Sequence, residues 1–123
     1  MIVHISEVEG YEAPGELTRV LRFLVDAERT NMRKLTAVML ELEPGQKTHV
    51  ASHPAEEIYI ILEGHPLVRV GDEERTVGPE TVLAIASNEP HQISAPEDKV
   101  RCFTVASDPP LVVEARRSWK RVK

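Results

Sequence analysis

HVASHPAEEIYIILEG, residues 49–64, sets two histidines and two glutamates directly before an apolar run that stops at a glycine. Taken alone, such a cluster suits a polar turn, because charged side chains commonly sit on solvated loops. The apolar run is more telling. If EEIYIILEG is a strand, Glu57, Tyr59 and Ile61 face one side and Ile58, Ile60 and Leu62 the other. A strand that is apolar on both faces needs cover on both. One face then looks into the interior of a barrel, and the other meets an N-terminal segment or a second copy of the chain, so a homodimer is expected.

The neighbouring sequence has the same character. Nine prolines and six glycines cut the chain into short apolar stretches, the spacing of an all-β sandwich or barrel. Strands are predicted at 17–25, 35–42, 56–64, 66–70, 81–86, 91–95 and 100–106. Turn residues separate them: Pro44-Gly45, Gly64-His65-Pro66, Gly71-Asp72, Gly78-Pro79, Asn88-Glu89-Pro90 and Pro109-Pro110. Gly71-Asp72 reads as a hairpin turn between PLVRV and ERTV. The first fifteen residues read as irregular, and residues 1–123 as one domain, its core barrel at about 35–110.

Composition narrows the function classes. A net charge of -5 argues against a general nucleic-acid binder, although the last nine residues, ARRSWKRVK, hold five of the fifteen basic side chains. That tail is read as solvated or partner-facing, with Trp119 anchored on the body or on another subunit. No run approaches the ~18 apolar residues of a membrane span, and acidic residues follow the N-terminus too closely for a signal peptide. A soluble, cytoplasmic protein with no membrane partner is expected. The lone Cys102 lies in an apolar strand and reads as a packed thiol.

His53, Glu57 and His91 form a candidate ligand set, since imidazole and carboxylate both bind divalent first-row metals. Two His and one carboxylate leave positions open for water or substrate. The stretch PGQKTHVASHPAEEIYIILEG, residues 44–64, resembles the first motif of the cupin superfamily: glycine, five residues, His-x-His, three or four residues, Glu, six residues, glycine. Gly45, His53, Glu57 and Gly64 fall on that pattern, while Ala51 stands where the first motif histidine belongs. The second motif survives mainly as His91; Glu80, Ala86, Asn88 and Ala95 occupy its glycine, proline, second glycine and asparagine positions. The resemblance implies a double-stranded β-helix, or jelly-roll, barrel. It also implies a metal site of His53, Glu57 and His91 holding Fe, Mn, Ni or Zn.

Other polar groups are weighed by strand geometry. His49 lies four residues from His53, about 13 Å along a strand, and reaches a shared ion only through a bulge; otherwise it sits further along the barrel or faces solvent. Tyr59 shares the side of Glu57 and is the candidate catalytic group, with a satisfied core aromatic as the competing reading. Gln92 is a second inward candidate, whereas Glu56, His65 and His4 read as uninvolved. A small-molecule ligand is expected. The chemistry stays open between a metal-dependent dioxygenase, isomerase or lyase and a non-catalytic or structural cupin with a degenerate site.

Overall fold

β-branched and aliphatic residues alternate between core and surface along most of the chain, the signature of half-buried strands. The computed structural model describes residues 1–14, 19–107 and 117–122. Among them a 3-10 turn at Ile5–Glu7 precedes ten strands: β1 (Gly10–Glu12), β2 (Val20–Val25), β3 (Thr36–Leu42), β4 (Glu57–Glu63), β5 (Leu67–Val70), β6 (Glu73–Thr76), β7 (Val82–Ile85), β8 (His91–Ser94), β9 (Val100–Ala106) and β10 (Lys120–Val122). A seven-stranded sheet in the order β10-β1-β2-β3-β9-β4-β7 packs against a three-stranded sheet, β6-β5-β8. This is the all-β jelly-roll barrel expected from the sequence.

Register fixes what the barrel contains. Leu40 pairs with Cys102, and Cys102 with Ile61, so one row of side chains crosses β3, β9 and β4. All three residues are almost fully buried, as are Leu42, Ile93 and Val100. Burial of this kind contributes roughly 1.5–3 kcal/mol per large aliphatic side chain. On the outer face, Val8, Leu24 and Met39 make a second cluster with Ile5, Ala37 and Phe103, so the N-terminal segment covers part of the large sheet. Beyond that cover, Ile58, Leu62 and Val82 remain 50%, 46% and 61% exposed.

Two expectations need correction. The first fifteen residues are not irregular throughout, because β1 pairs with β2 and places Tyr11 opposite Leu21 in the core. The tail is not merely solvated either: β10 pairs with β1, and Trp119 packs against the main core cluster. Both strands are three residues long, too short for alternation to announce them. Of the strand predicted at 17–25, residues 17 and 18 lie outside the described residues, as does the Pro109-Pro110 turn. The hairpin at Gly71-Asp72 forms, with Val70 opposite Glu73, and adds β6.

The glycine positions of the two motifs explain one another. Gly45, Gly64, Glu80 and Asn88 all have positive φ, at 90°, 90°, 69° and 63°. The backbone therefore keeps its left-handed turns at the second-motif positions even where the side chain is no longer absent. Gly64 has a further reason to be glycine, because a Cβ there would collide with the Lys99 carbonyl oxygen, whereas Gly45 faces open space. Gly64→Ala is expected to cost at least about 2 kcal/mol and Gly45→Ala roughly 1 kcal/mol, read from denaturant midpoints. Equal losses would contradict the steric wall at Lys99.

Candidate metal centre

Three different parts of the chain supply the centre. Glu57 opens β4, on the same face as Tyr59 and Ile61; His91 opens β8 in the smaller sheet. His53 lies in the segment before β4, which is stitched to the opposite wall. Ala51 and His91 exchange both backbone hydrogen bonds at 2.9 Å, and the Asn88 amide donates to the His53 carbonyl at 2.7 Å. The left-handed turn at Asn88 thereby sets the segment that presents His53.

The side chains converge on one carboxylate oxygen. Glu57 Oε1 lies 3.3 Å from His53 Nε2 and 3.4 Å from His91 Nε2. One potential ligand atom from each residue lies within 4.8 Å of the others. Donors bound at about 2.1 Å in tetrahedral geometry sit roughly 3.4 Å apart, so the carboxylate–imidazole spacings fit a shared ion. The imidazole rings stand edge to face, with centroids 4.9 Å apart and planes at 75°.

Hydrogen bonds behind the trio fix its orientation. His53 Nδ1 lies 3.0 Å from the Ala55 carbonyl and His91 Nδ1 lies 2.9 Å from the Glu89 carbonyl. A carbonyl can only accept, so both Nδ1 atoms carry hydrogen and Nε2 is the atom turned toward the centre, a lone-pair donor when a ring is neutral and a hydrogen-bond donor to Glu57 when it is protonated. Thr104 Oγ1 donates to Glu57 Oε2 at 2.9 Å, leaving Oε1 for the ion. The group could hold a metal ion.

Proton affinities follow from the same contacts. Burial pushes the Glu57 carboxyl up, but hydrogen bonds from His91 and Thr104 and the two nearby imidazoles outweigh it and hold the group below its ordinary value. Burial pulls His91 down, and its hydrogen bonds to Glu57 and to the Glu89 carbonyl more than reverse that, so His91 is raised. Burial, reinforced by the charge of Glu57, pushes the Tyr59 hydroxyl well above its ordinary value. The Cys102 thiol is pushed by burial to about 12, which marks it as an inert core group.

The remaining sequence candidates are spread differently. Tyr59 lines the cavity beside the trio, its ring 6.2 Å from that of His91. His49 lines the same cavity but is exposed and stands outside the group of three. Gln92 donates its side-chain amide to the Thr48 carbonyl at 2.8 Å. Glu56 is exposed, His65 pairs with Asp98 at the surface, and His4 caps the 3-10 turn through Ser6.

Four polar lining residues escaped the sequence reading: Arg19, Thr36, Thr48 and Thr104. Parity could have found three of them, since Arg19 aligns with Leu21 and Phe23, Thr36 with Val38 and Leu40, and Thr104 with Cys102. The cavity measures about 170 Å³ and is otherwise walled largely by Leu21, Phe23, Val38 and Leu40.

With fold and centre in place, kinship can be assigned. The family model described as Cupin domain matches residues 38–106. The chain is a cupin. It is 28% identical over 87 residues to auxin-binding protein 4 of Zea mays, covering 62% of this chain and 43% of that protein. The cupin thus spans less than half the length of this relative. A predicted oxalate decarboxylase of Thermotoga maritima superposes with a TM-score of 0.78 at 20% identity, covering 89% of this chain and all of that one (100%). The polyketide cyclase RemF of Streptomyces resistomycificus gives a TM-score of 0.75 at 24% identity, covering 86% of this cupin and 78% of its own chain. These structural likenesses carry the fold.

The shifts of His91 and Glu57 give the metal-free protein a characteristic pH response. Stability from the raised His91 is full below its ordinary 6.5 and is lost as pH climbs through the raised value. Stability from the lowered Glu57 is present above its ordinary 4.5 and lost as pH falls through the lowered value. The metal-free protein is therefore expected to melt higher at about pH 5.5 than at about pH 8, with the difference reduced in His91→Gln. Added zinc should reverse the trend, because protons compete with the ion for Nε2. A chelated wild type that melts higher at the alkaline value, with His91→Gln unchanged, would refute the coupling.

Proposed function

We propose that this cupin binds a divalent metal ion through His53, Glu57 and His91 and uses the adjoining cavity to hold a small molecule with a polar end. The observation that carries this reading is the pair of Nδ1–carbonyl bonds, which commit both Nε2 atoms to the carboxylate oxygen between them. Imidazole and carboxylate donors suit Fe, Mn, Ni or Zn alike, so the ligand set does not select the ion. Such an ion supplies Lewis-acid polarisation of a bound oxygen, or a water made acidic near neutral pH. Tyr59 stays protonated through the neutral range and serves as a hydrogen-bond donor to a ligand oxygen rather than as a base.

A non-catalytic ligand-binding cupin is the second reading, and Ala51 favours it. Its methyl group lines the cavity where the resemblance places a fourth ligand, and His49 at the exposed rim does not join the trio. The names of the relatives, an auxin-binding protein, a predicted decarboxylase and a cyclase, support a small-molecule cavity without choosing a dioxygenase, isomerase or lyase reaction. The single buried thiol suits a reducing, cytoplasmic compartment. A homodimer is part of the same proposal. The exposed Ile58, Leu62 and Val82 lie beyond the N-terminal cover, and apolar side chains grouped this way mark interaction surfaces.

Metal content of purified protein tests the first element. Wild type is expected to hold close to one ion per chain; His53→Ala and His91→Ala should each lose at least about tenfold in affinity, and Ala51→His should gain by a similar factor. Unchanged content in both alanine variants would eliminate the centre. For the dimer, Ile58→Glu and Val82→Glu are expected to convert a two-chain species to monomer in sedimentation velocity. A wild type that stays monomeric at high concentration contradicts the dimer.

A further inference from the structure

Arg19 is the permanent cation of the cavity lining. It precedes β2 on the side of Leu21 and Phe23, at the partly buried edge of the core. Its guanidinium carbon lies 5.8 Å from the centre of the Trp119 ring. That contact uses an aromatic face and supplies no formal counter-charge. Among the described residues no carboxylate stands in ion-pair range of Arg19; Glu57, the acidic residue of the same cavity, is engaged by two imidazoles and Thr104. Burial pulls the Arg19 guanidinium below its ordinary value, opposed by Tyr59, yet an arginine stays charged. A partly desolvated charge without an opposite partner is unfavourable in the free protein.

A second polar group of the cavity is also unsatisfied. Thr36, at the start of β3, is 2% exposed and lines the same space, and its Oγ1 has no hydrogen-bond partner among the described residues. Buried hydroxyls are nearly always bonded. Among the described residues, a guanidinium without a carboxylate partner and a hydroxyl without a hydrogen bond therefore border a space walled largely by Leu21, Phe23, Val38 and Leu40. Its 170 Å³ is comparable to the roughly 150 Å³ cavity that accepts a benzene ring.

We propose that Arg19 is the anion anchor of the cavity and that its ligand is a small carboxylic acid with an apolar body, the Thr36 hydroxyl meeting a further polar atom of the same molecule. The proposal rests on the small-molecule cavity of the preceding reading but not on the metal. Trp119, the residue before β10, meets the guanidinium through its ring. The tail and the ligand site are thereby joined through one side chain.

Calorimetric titration of the chelated, metal-free protein with benzoate and with its neutral counterpart benzamide tests this. Removing the ion leaves Arg19 as the permanent cation of the lining, and the Arg19 variants separate its contribution from the charges of Glu57 and His91. Wild type is expected to prefer benzoate by about ten- to hundredfold, the range of one charge-assisted hydrogen-bonded contact. Arg19→Gln should abolish the preference while retaining benzamide binding, which also reports that the site is folded; Arg19→Lys should keep part of it. Thr36→Val should weaken the binding of both probes. No benzoate binding, equal binding of the two probes by wild type, or a preference that survives in Arg19→Gln overturns the proposal. If the trio takes up no metal while the Arg19-dependent preference stands, the metal reading fails and the anchor survives; metal uptake without preference gives the reverse.

Discussion

A carboxylate on the inner face of β4 is the constraint around which the rest of this cupin is arranged. Moving an ionised group into a barrel costs several kcal/mol unless opposite charge or hydrogen bonds replace its water. Here Thr104 from β9 satisfies one oxygen of Glu57, and imidazoles from the pre-β4 segment and from β8 approach the other. Each partner depends on register: β9 sets Ala106 opposite Glu57 and Thr104 opposite Tyr59. A slip of one residue would turn Ile58 inward and place Glu57 on the outer wall. The apolar rows below the site, Leu40–Cys102–Ile61 among them, make such a slip costly and thereby hold the centre together.

Much of this was legible in the sequence because β4, β3 and β9 are long enough for period-two burial to show. The same parity separates Glu57 from Glu56 on the sequence alone. What it could not show were β1 and β10, each three residues long, one carrying a glycine and the other two charged residues. Their pairing is tertiary, visible only once Gly10 meets Val122. Arg19 is an intermediate case. Its position in an apolar alternation is readable, but a long arginine in such a place ordinarily snorkels to water, and the lack of a carboxylate partner among the described residues is a three-dimensional fact.

The departures from the second motif also separate into two kinds. Glu80 and Asn88 replace glycines yet keep left-handed backbone, so the turn that ties Glu80 to Ile61 and the one that ties Asn88 to His53 both survive at a modest conformational cost. Those substitutions alter stability rather than chemistry. Ala51 is different, because a methyl group offers no lone pair and the segment around it is otherwise held in place by its two bonds with His91. The frame for a fourth donor persists while the donor itself is missing, which is why the protein reads as a cupin with a three-residue centre rather than as one whose site has collapsed.

The pairing of β1 with β10 has a consequence for how the chain is closed. Gly10 and Val122 are opposite one another, so the polypeptide enters the large sheet and leaves it at a common corner. Between residues 10 and 122 the fold is topologically close to a ring. A permuted version, joined there by a short linker and opened at the exposed Gly71-Asp72 hairpin tip, would retain every strand neighbour. Its new ends would lie on the smaller sheet, away from the corner where Trp119 meets Arg19.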